Sequence, residues 1–264
     1  MILDCFSFFN EIKLLLIRLH YLDPYVDHFI ILESRYTYSG LPKPLLLDQY
    51  WEAIPAQISK KIIRCQFELN AEDGDPKKAW VRETGQRSIL VEAAKQHFPD
   101  PRTISIVSDL DEIPHHEILV TLRRAGIPTA VRLQQTCLVY NPDTRSGDWC
   151  SAIAAPLGAL SPQNVNAIRT NNTLGTREID DAGWHFTFVM SPEKILHKIQ
   201  AYAHQEFNRP HWANLDNIKQ AISNRVDLFD RYPGKVFESY SRDNYPSELR
   251  RLLDLYMPQG SLDT

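Results

Sequence analysis

Ile104-Ser105-Ile106-Val107-Ser108-Asp109-Leu110-Asp111-Glu112-Ile113-Pro114 is an apolar, β-branched run that ends abruptly in three carboxylates and a proline. Thr103 to Val107 are too few for a helix and read as a short buried strand. On extended backbone successive side chains point to opposite faces, so Asp109 and Asp111 are expected to project together while Leu110 turns to the core. Two carboxylates that close repel unless a cation sits between them. Oxygen ligands alone select a hard ion such as Mn²⁺ or Mg²⁺, and a diphosphate leaving group is the natural partner of that ion. Asp-x-Asp also occurs in plain surface turns, and acidic residues also cap helices such as the one expected from Pro114 to Arg124. The position at the carboxyl end of a buried strand, where open α/β sheets bind ligands, favours a site.

The flanking sequence repeats the strand-and-helix theme. Ile2 to Phe9 read as a first strand. Asn10 and Glu11 open a helix in which Ile12, Leu15, Leu16, Leu19 and Leu22 recur at the spacing of one buried stripe, until Asp23-Pro24 stops it. His28 to Leu32 form a second strand running into Glu33-Ser34, and a crossover of this length implies parallel pairing. Lys61 to Cys65 supply a third strand, beyond a loop with a short helix at 36–60. Ala79 to Phe98 are helical up to Pro99. After Pro114 come a helix, a turn at Gly126-Ile127-Pro128, strands near Ala130 to Tyr140 and Ser151 to Pro156, and a loop from Asn141 to Trp149 between them. Trp184 to Val189 look like a strand, Ser191-Pro192 start a helix to about His204, and Leu215 to Phe229 form another. The expected architecture is α/β, a single domain with a Rossmann-like mixed sheet of mostly parallel strands flanked by helices.

Composition removes several classes. With 264 residues and 43% hydrophobic content the chain can bury one sizeable core. The 29 Lys and Arg against 33 Asp and Glu leave a formal net charge of -4, so no basic face for nucleic acid is implied. Cys5, Cys65, Cys137 and Cys150 form no C-x-x-C pair, which argues for reduced, buried thiols rather than a zinc module or disulfides. No segment reaches the roughly 18 apolar residues of a membrane span, and Ile12 to Leu22 lack a signal-peptide layout, so a cytoplasmic chain with no membrane span is expected. The P-loop, the dinucleotide G-x-G-x-x-G and the G-x-S-x-G elbow are all missing, which argues against the corresponding nucleotidases, oxidoreductases and serine hydrolases.

Other clusters can be placed around the acidic turn. If the early strands are parallel neighbours, Asn10, Glu33, Ser34 and Asp109 meet at their carboxyl ends, where a nucleotide would lie. Glu33 could accept hydrogen bonds from a base or ribose, or pair with a nearby Arg. In Trp80-Val81-Arg82-Glu83-Thr84-Gly85-Gln86-Arg87, Arg82 and Gln86 share a helical face, and Glu83 and Arg87 can form an ordinary i,i+4 pair. Gly85 in mid-helix suggests close approach of a neighbour. His185, in Gly183-Trp184-His185-Phe186, is a candidate third metal ligand beside Asp109 and Asp111, or simply a core histidine. His204 and Glu206 would act together only if their helix has already ended, since i and i+2 do not share a helical face.

Taken together, Asp4 to Glu11, Phe29 to Ser34 with Tyr38 to Pro44, Trp80 to Arg87, Ser108 to Pro114, Gly183 to His185 and His204 to Asn208 resemble glycosyltransferase family 17, and the chain looks like a short bacterial or viral member. The resemblance implies a GT-A type fold, a nucleotide-sugar donor and a divalent ion at Asp109 and Asp111. It implies a UDP-sugar, with UDP-N-acetylglucosamine the default, and a glycan acceptor. On this basis residues 1–114 form a nucleotide-binding half and 115–264 an acceptor-side half. Asp109, Asp111 and His185 would hold Mn²⁺ or Mg²⁺ against the phosphates, helped by Arg82 or Arg87, with Gln86, Asn10, Glu33 and Ser34 near the donor. Trp184 and His204 would contact the acceptor. Glu206 is the first choice for the base that takes the acceptor proton with inversion, ahead of Asp181 and Glu112. Two rival classes use the same clamp, a metal-dependent phosphoesterase and a nucleotide-sugar-binding module without catalysis.

Overall fold

A computed structural model describes residues 1–67, 78–170 and 176–259. The chain opens with β1 (Ile2–Phe8), α1 (Ile12–Leu22), β2 (His28–Ser34), a one-turn α2 (Ala56–Ser59), β3 (Ile62–Phe67), α3 (Ala79–His97) and β4 (Ile104–Asp109). Apart from α2, expected only as a short helix somewhere in 36–60, each boundary lies within two residues of its expected place. β1 pairs in parallel with both β2 and β4, and β2 in parallel with β3. In that register Ser7 lies beside Asp109 and Phe8 beside Glu33, so the polar ends of three strands do share one edge.

The second part departs from the expected pattern. After β5 (Glu112–Pro114), α4 (His116–Ala125) and β6 (Val131–Val139), β7 runs from Thr144 to Pro156. Most of the segment read as a loop is therefore strand, paired antiparallel with β6. Its polar half, Thr-Arg-Ser-Gly-Asp, hides the strand signal because the residues after the buried Thr144 face solvent or the cavity rather than the core. α5 (Val165–Arg169), β8 (Arg177–Ile179), β9 (Gly183–Thr187), α6 (Pro192–Ala201), α7 (Leu215–Asn224), β10 (Glu238–Ser239) and α8 (Ser247–Tyr256) complete the described chain. The sheet order is β3-β2-β1-β4-β7-β6-β9-β5, with β8 on β6 and β10 on β7. Only the first four neighbours are uniformly parallel. β4, β6 and β10 pair antiparallel with β7, and β5 with β9, so the sheet is mixed rather than mostly parallel.

Alternation along β1 explains how one sheet holds two cores. Ile2, Phe6 and Phe8 pack with α1 and α8 on one face, while Leu3 and Cys5 meet Leu90, Val91 and Ala94 of α3 on the other. A third cluster joins Phe188, Ile195, Ile199, Ile218 and Phe229 around α6 and α7. All four cysteines are free thiols. Among the described residues no helix is long and apolar enough to cross a membrane.

Two glycines make opposite predictions. Gly183 adopts φ +139, and a Cβ there would lie 2.2 Å from the Ile113 carbonyl oxygen, so Gly183→Ala is expected to cost about 3 kcal/mol or more through strain and collision. Gly85, expected to mark a close approach, would place its Cβ an ordinary 3.7 Å from the Phe67 ring. Gly85→Ala is therefore expected to stabilise by about 0.5–1 kcal/mol, because it removes the backbone-entropy cost of mid-helix glycine. Urea denaturation midpoints that move the other way would contradict both assignments.

Candidate active site

The acidic turn is built from beneath by a buried arginine. Arg18, on the sheet face of α1, is fully buried with Asp4 of β1, and the two form a bidentate pair at 2.6 and 2.9 Å. Its Nη1 donates to the carbonyl oxygens of Asp109 (2.7 Å), Leu110 (3.0 Å) and Glu112 (3.1 Å), and its Nη2 to Ser108 Oγ (2.6 Å). The chain bends after β4, and the next strand begins at Glu112. Asp109 and Asp111 therefore reach the same cavity across a turn, not along one extended strand, while Leu110 packs in the core as expected.

That cavity, roughly 700 Å³, opens at the carboxyl ends of β1, β2 and β4 and is walled on the other side by β6, β7, β9 and α6. Such a volume suits a small-molecule ligand. The two carboxylates do not stand bare and repelling as expected, because side-chain cations already serve both. Arg87 and Arg169 each lie 3.0 Å from Asp109. Lys198 bridges Asp111 (3.0 Å) and Glu11 (3.1 Å). Burial opposes ionisation of Asp109, yet Arg169 and Arg87 hold its carboxyl far below the usual range. Burial likewise opposes the Lys198 charge, which Asp111 and Glu11 more than restore. Glu112 is fully buried and accepts from Arg169, from Trp149 Nε1 (2.6 Å) and from the Asp109 N–H (2.8 Å). It braces the turn and leaves no oxygen for a base.

His185 faces this cluster because β9 alternates. Its Nε2 lies 3.6 Å from Asp111 Oδ1, its Nδ1 3.7 Å from Cys137 Sγ, and the Trp149 ring lies against it, tilted by 36° with centroids 4.8 Å apart. Burial lowers the imidazole pKa, but Asp111 and Cys137 outweigh that and lift it to about 9. The same alternation removes Trp184 from the acceptor list. It points to the opposite face, buried among Tyr21, His115 and Tyr245.

The donor set fits a hard divalent ion in one respect. Asp111 offers an oxygen donor and His185 a nitrogen donor once a bound ion displaces its imidazolium proton, and Mg²⁺ is commonly held by one or two protein carboxylates with substrate phosphates completing the shell. Asp109 does not join them, since both its oxygens accept from guanidinium groups. Among the described residues no three His, Cys, Asp or Glu side chains stand together as a cation cage.

Of the remaining candidates, Ser34, Gln86, Arg87 and His204 line the cavity. Glu33 does not. It is 3% exposed and accepts from Lys43 Nζ and the N–H groups of Leu46 and Leu47, which fixes the loop after β2. Arg82 is buried outside the wall and donates to the Tyr38 carbonyl at 2.6 Å. Asn10 lies outside the wall as well, against His197. Asp181 sits in the turn ahead of β9 at positive φ, and Glu206 pairs with His204, so neither carboxylate reaches the cavity. The sequence reading missed Arg169, Lys198, Tyr38, Trp149 and Tyr202, all of which line it. Nothing local separates Arg169 or Lys198 from ordinary surface cations on short helices.

The sequence model of glycosyltransferase family 17 matches residues 1–248 of the chain. No curated protein matches it.

Proposed function

The chain belongs to glycosyltransferase family 17, and from that premise we propose that it moves a sugar from a UDP-sugar, UDP-N-acetylglucosamine being the first donor to test, to a glycan hydroxyl with inversion. One observation carries this reading. Arg87, Arg169, Lys198 and His185 converge on Asp109 and Asp111 at the carboxyl ends of parallel strands, the place where α/β sheets receive nucleotides. We read the arrangement as GT-A type.

In this proposal Arg87 and Arg169 shift part of their hydrogen bonding from Asp109 to the donor diphosphate, which matches the fork geometry of guanidinium groups. Asp111 and His185 are the residues that would hold Mn²⁺ or Mg²⁺. Such an ion, when bound, supplies Lewis-acid neutralisation of the departing UDP. Lys198 stays between Glu11 and Asp111 and keeps the acidic wall from repelling the donor. The division into a donor half and an acceptor half is softened by this assignment, because Arg169, His185 and Lys198 come from beyond residue 114 yet serve the donor end.

The test is UDP release from a panel of UDP-sugars, with and without Mn²⁺ and with and without chromogenic glycosides as acceptors. Release that needs the ion and is stimulated by an acceptor is expected. Acceptor-independent hydrolysis alone would favour a phosphoesterase, and UDP binding without any release would favour a binding module. Full activity in EDTA would count against the ion.

A further inference from the structure

The acceptor hydroxyl must lose a proton, and among the described residues the cavity-lining carboxylates are poor choices to receive it. Each is committed to a cation: Glu11 to Lys198, Glu83 and Asp109 to Arg87, Asp111 to Lys198, Asp148 to Arg145 and Asp227 to Arg231. Ion pairing favours the charged form and so weakens the carboxylate as a base. His204 differs in kind. α6 ends at Ala201, Tyr202 is extended at φ -82 and ψ 178, and residues 205–207 form a tight 3-10 turn. The helix has therefore ended before His204, and the turn brings Glu206 back onto it. Glu206 Oε1 lies 2.6 Å from His204 Nδ1.

A carboxylate only accepts, so His204 Nδ1 carries the proton of this bond, and in the neutral ring the lone pair is on Nε2. Burial works against the Glu206 charge, but the hydrogen bond from His204 holds its carboxyl below the ordinary value. The ring is set in place by Trp80 of α3, edge to face at 4.5 Å, with Tyr202 and Phe207 at 5.6 and 5.8 Å. His204 lines the same cavity as Asp111 and Lys198, six residues past Lys198 on the chain. The buried Tyr202 hydroxyl beside it has no partner among the described residues, so a hydrogen-bonding group of a ligand is wanted at this end.

We propose that His204 is the general base of the transfer and that Glu206 is its positioning residue. The assignment rests on the glycosyltransferase reading above. As the acceptor oxygen bonds to the anomeric carbon, the bond from that carbon to the β-phosphate oxygen breaks and its electron pair leaves with UDP. The hydroxyl proton passes to His204 Nε2 and then to water. Glu206 holds the neutral tautomer that can accept it and stabilises the imidazolium that forms.

The experiment measures UDP release and sugar transfer with the UDP-sugar panel and p-nitrophenyl glycosides, water serving as the default acceptor. His204→Ala is expected to lose about 10²–10⁴ in kcat, with UDP affinity unchanged and with partial recovery in added imidazole. Glu206→Gln is expected to lose less, again in kcat, and Glu206→Asp to recover part of it. A His204→Ala enzyme that retains kcat within a few-fold, or whose loss imidazole does not relieve, overturns the assignment while wild-type turnover leaves the donor reading standing. No UDP release by the wild type from any donor overturns both.

Discussion

Asp111→Asn is expected to reduce kcat/KM for sugar transfer by about 10²–10⁴-fold, since neutralising the leaving diphosphate contributes several kcal/mol and each 1.36 kcal/mol is tenfold. The amide keeps the shape of the carboxylate but loses its charge. Lys198 retains Glu11 as a partner at 3.1 Å, so the fold should survive with a melting temperature shifted by only a few degrees. The decisive comparison is therefore between activity and stability measured on one preparation. Transfer within threefold of wild type would remove Asp111 from the mechanism, and a large loss of stability would mean its role is to hold α6 against the sheet.

Arg18→Met is expected to cost about 3–5 kcal/mol of stability, because it leaves the fully buried Asp4 carboxylate without its partner. It also removes the donors that gather three carbonyl oxygens of the acidic turn. The loss should exceed that of any exposed ion pair, such as Arg102 with Asp100, where screening leaves little. Combining Arg18→Met with Asp4→Leu should recover part of the loss, since an apolar pair avoids the buried unpaired charge. Urea denaturation measures both variants. A single substitution that costs under about 1 kcal/mol would show that the turn does not depend on this arginine.

The first half of the fold was legible because its signals are local. Short β-branched runs, the leucine stripe of α1 and the stops at Asp23-Pro24 and Pro99 each state an element on their own. β7 was half hidden because its first residues are polar and serve the cavity, and α8 went unread although Leu249, Leu252 and Leu253 form a clear stripe that packs with α1. Mixed pairing was expected, but its extent was not, since antiparallel addition of β7 beside β4 depends on contacts far apart in sequence.

The site divides in the same way. Asp109, Asp111, Arg87 and His185 were found because a strand end, a helix face and an aromatic-flanked histidine carry local meaning. Glu33 and Arg82 were misplaced for one shared reason. A polar residue near a site can be consumed by backbone groups, as Glu33 is by Leu46 and Leu47, and only the tertiary structure shows it. Trp184 fell to the period of two that the sequence does display, once the face of His185 is known. Arg169 and Lys198 carry no such sign, because their burial is created by elements that arrive from elsewhere in the chain.

The most direct test of the account is a calorimetric titration of UDP into the protein with and without Mn²⁺, repeated on Asp111→Asn. The ion is expected to tighten UDP binding by about tenfold or more, a coupling of about 1.4 kcal/mol, and the substitution to erase the difference. Equal UDP affinity in the presence and absence of Mn²⁺, or a gain that persists in Asp111→Asn, would contradict it.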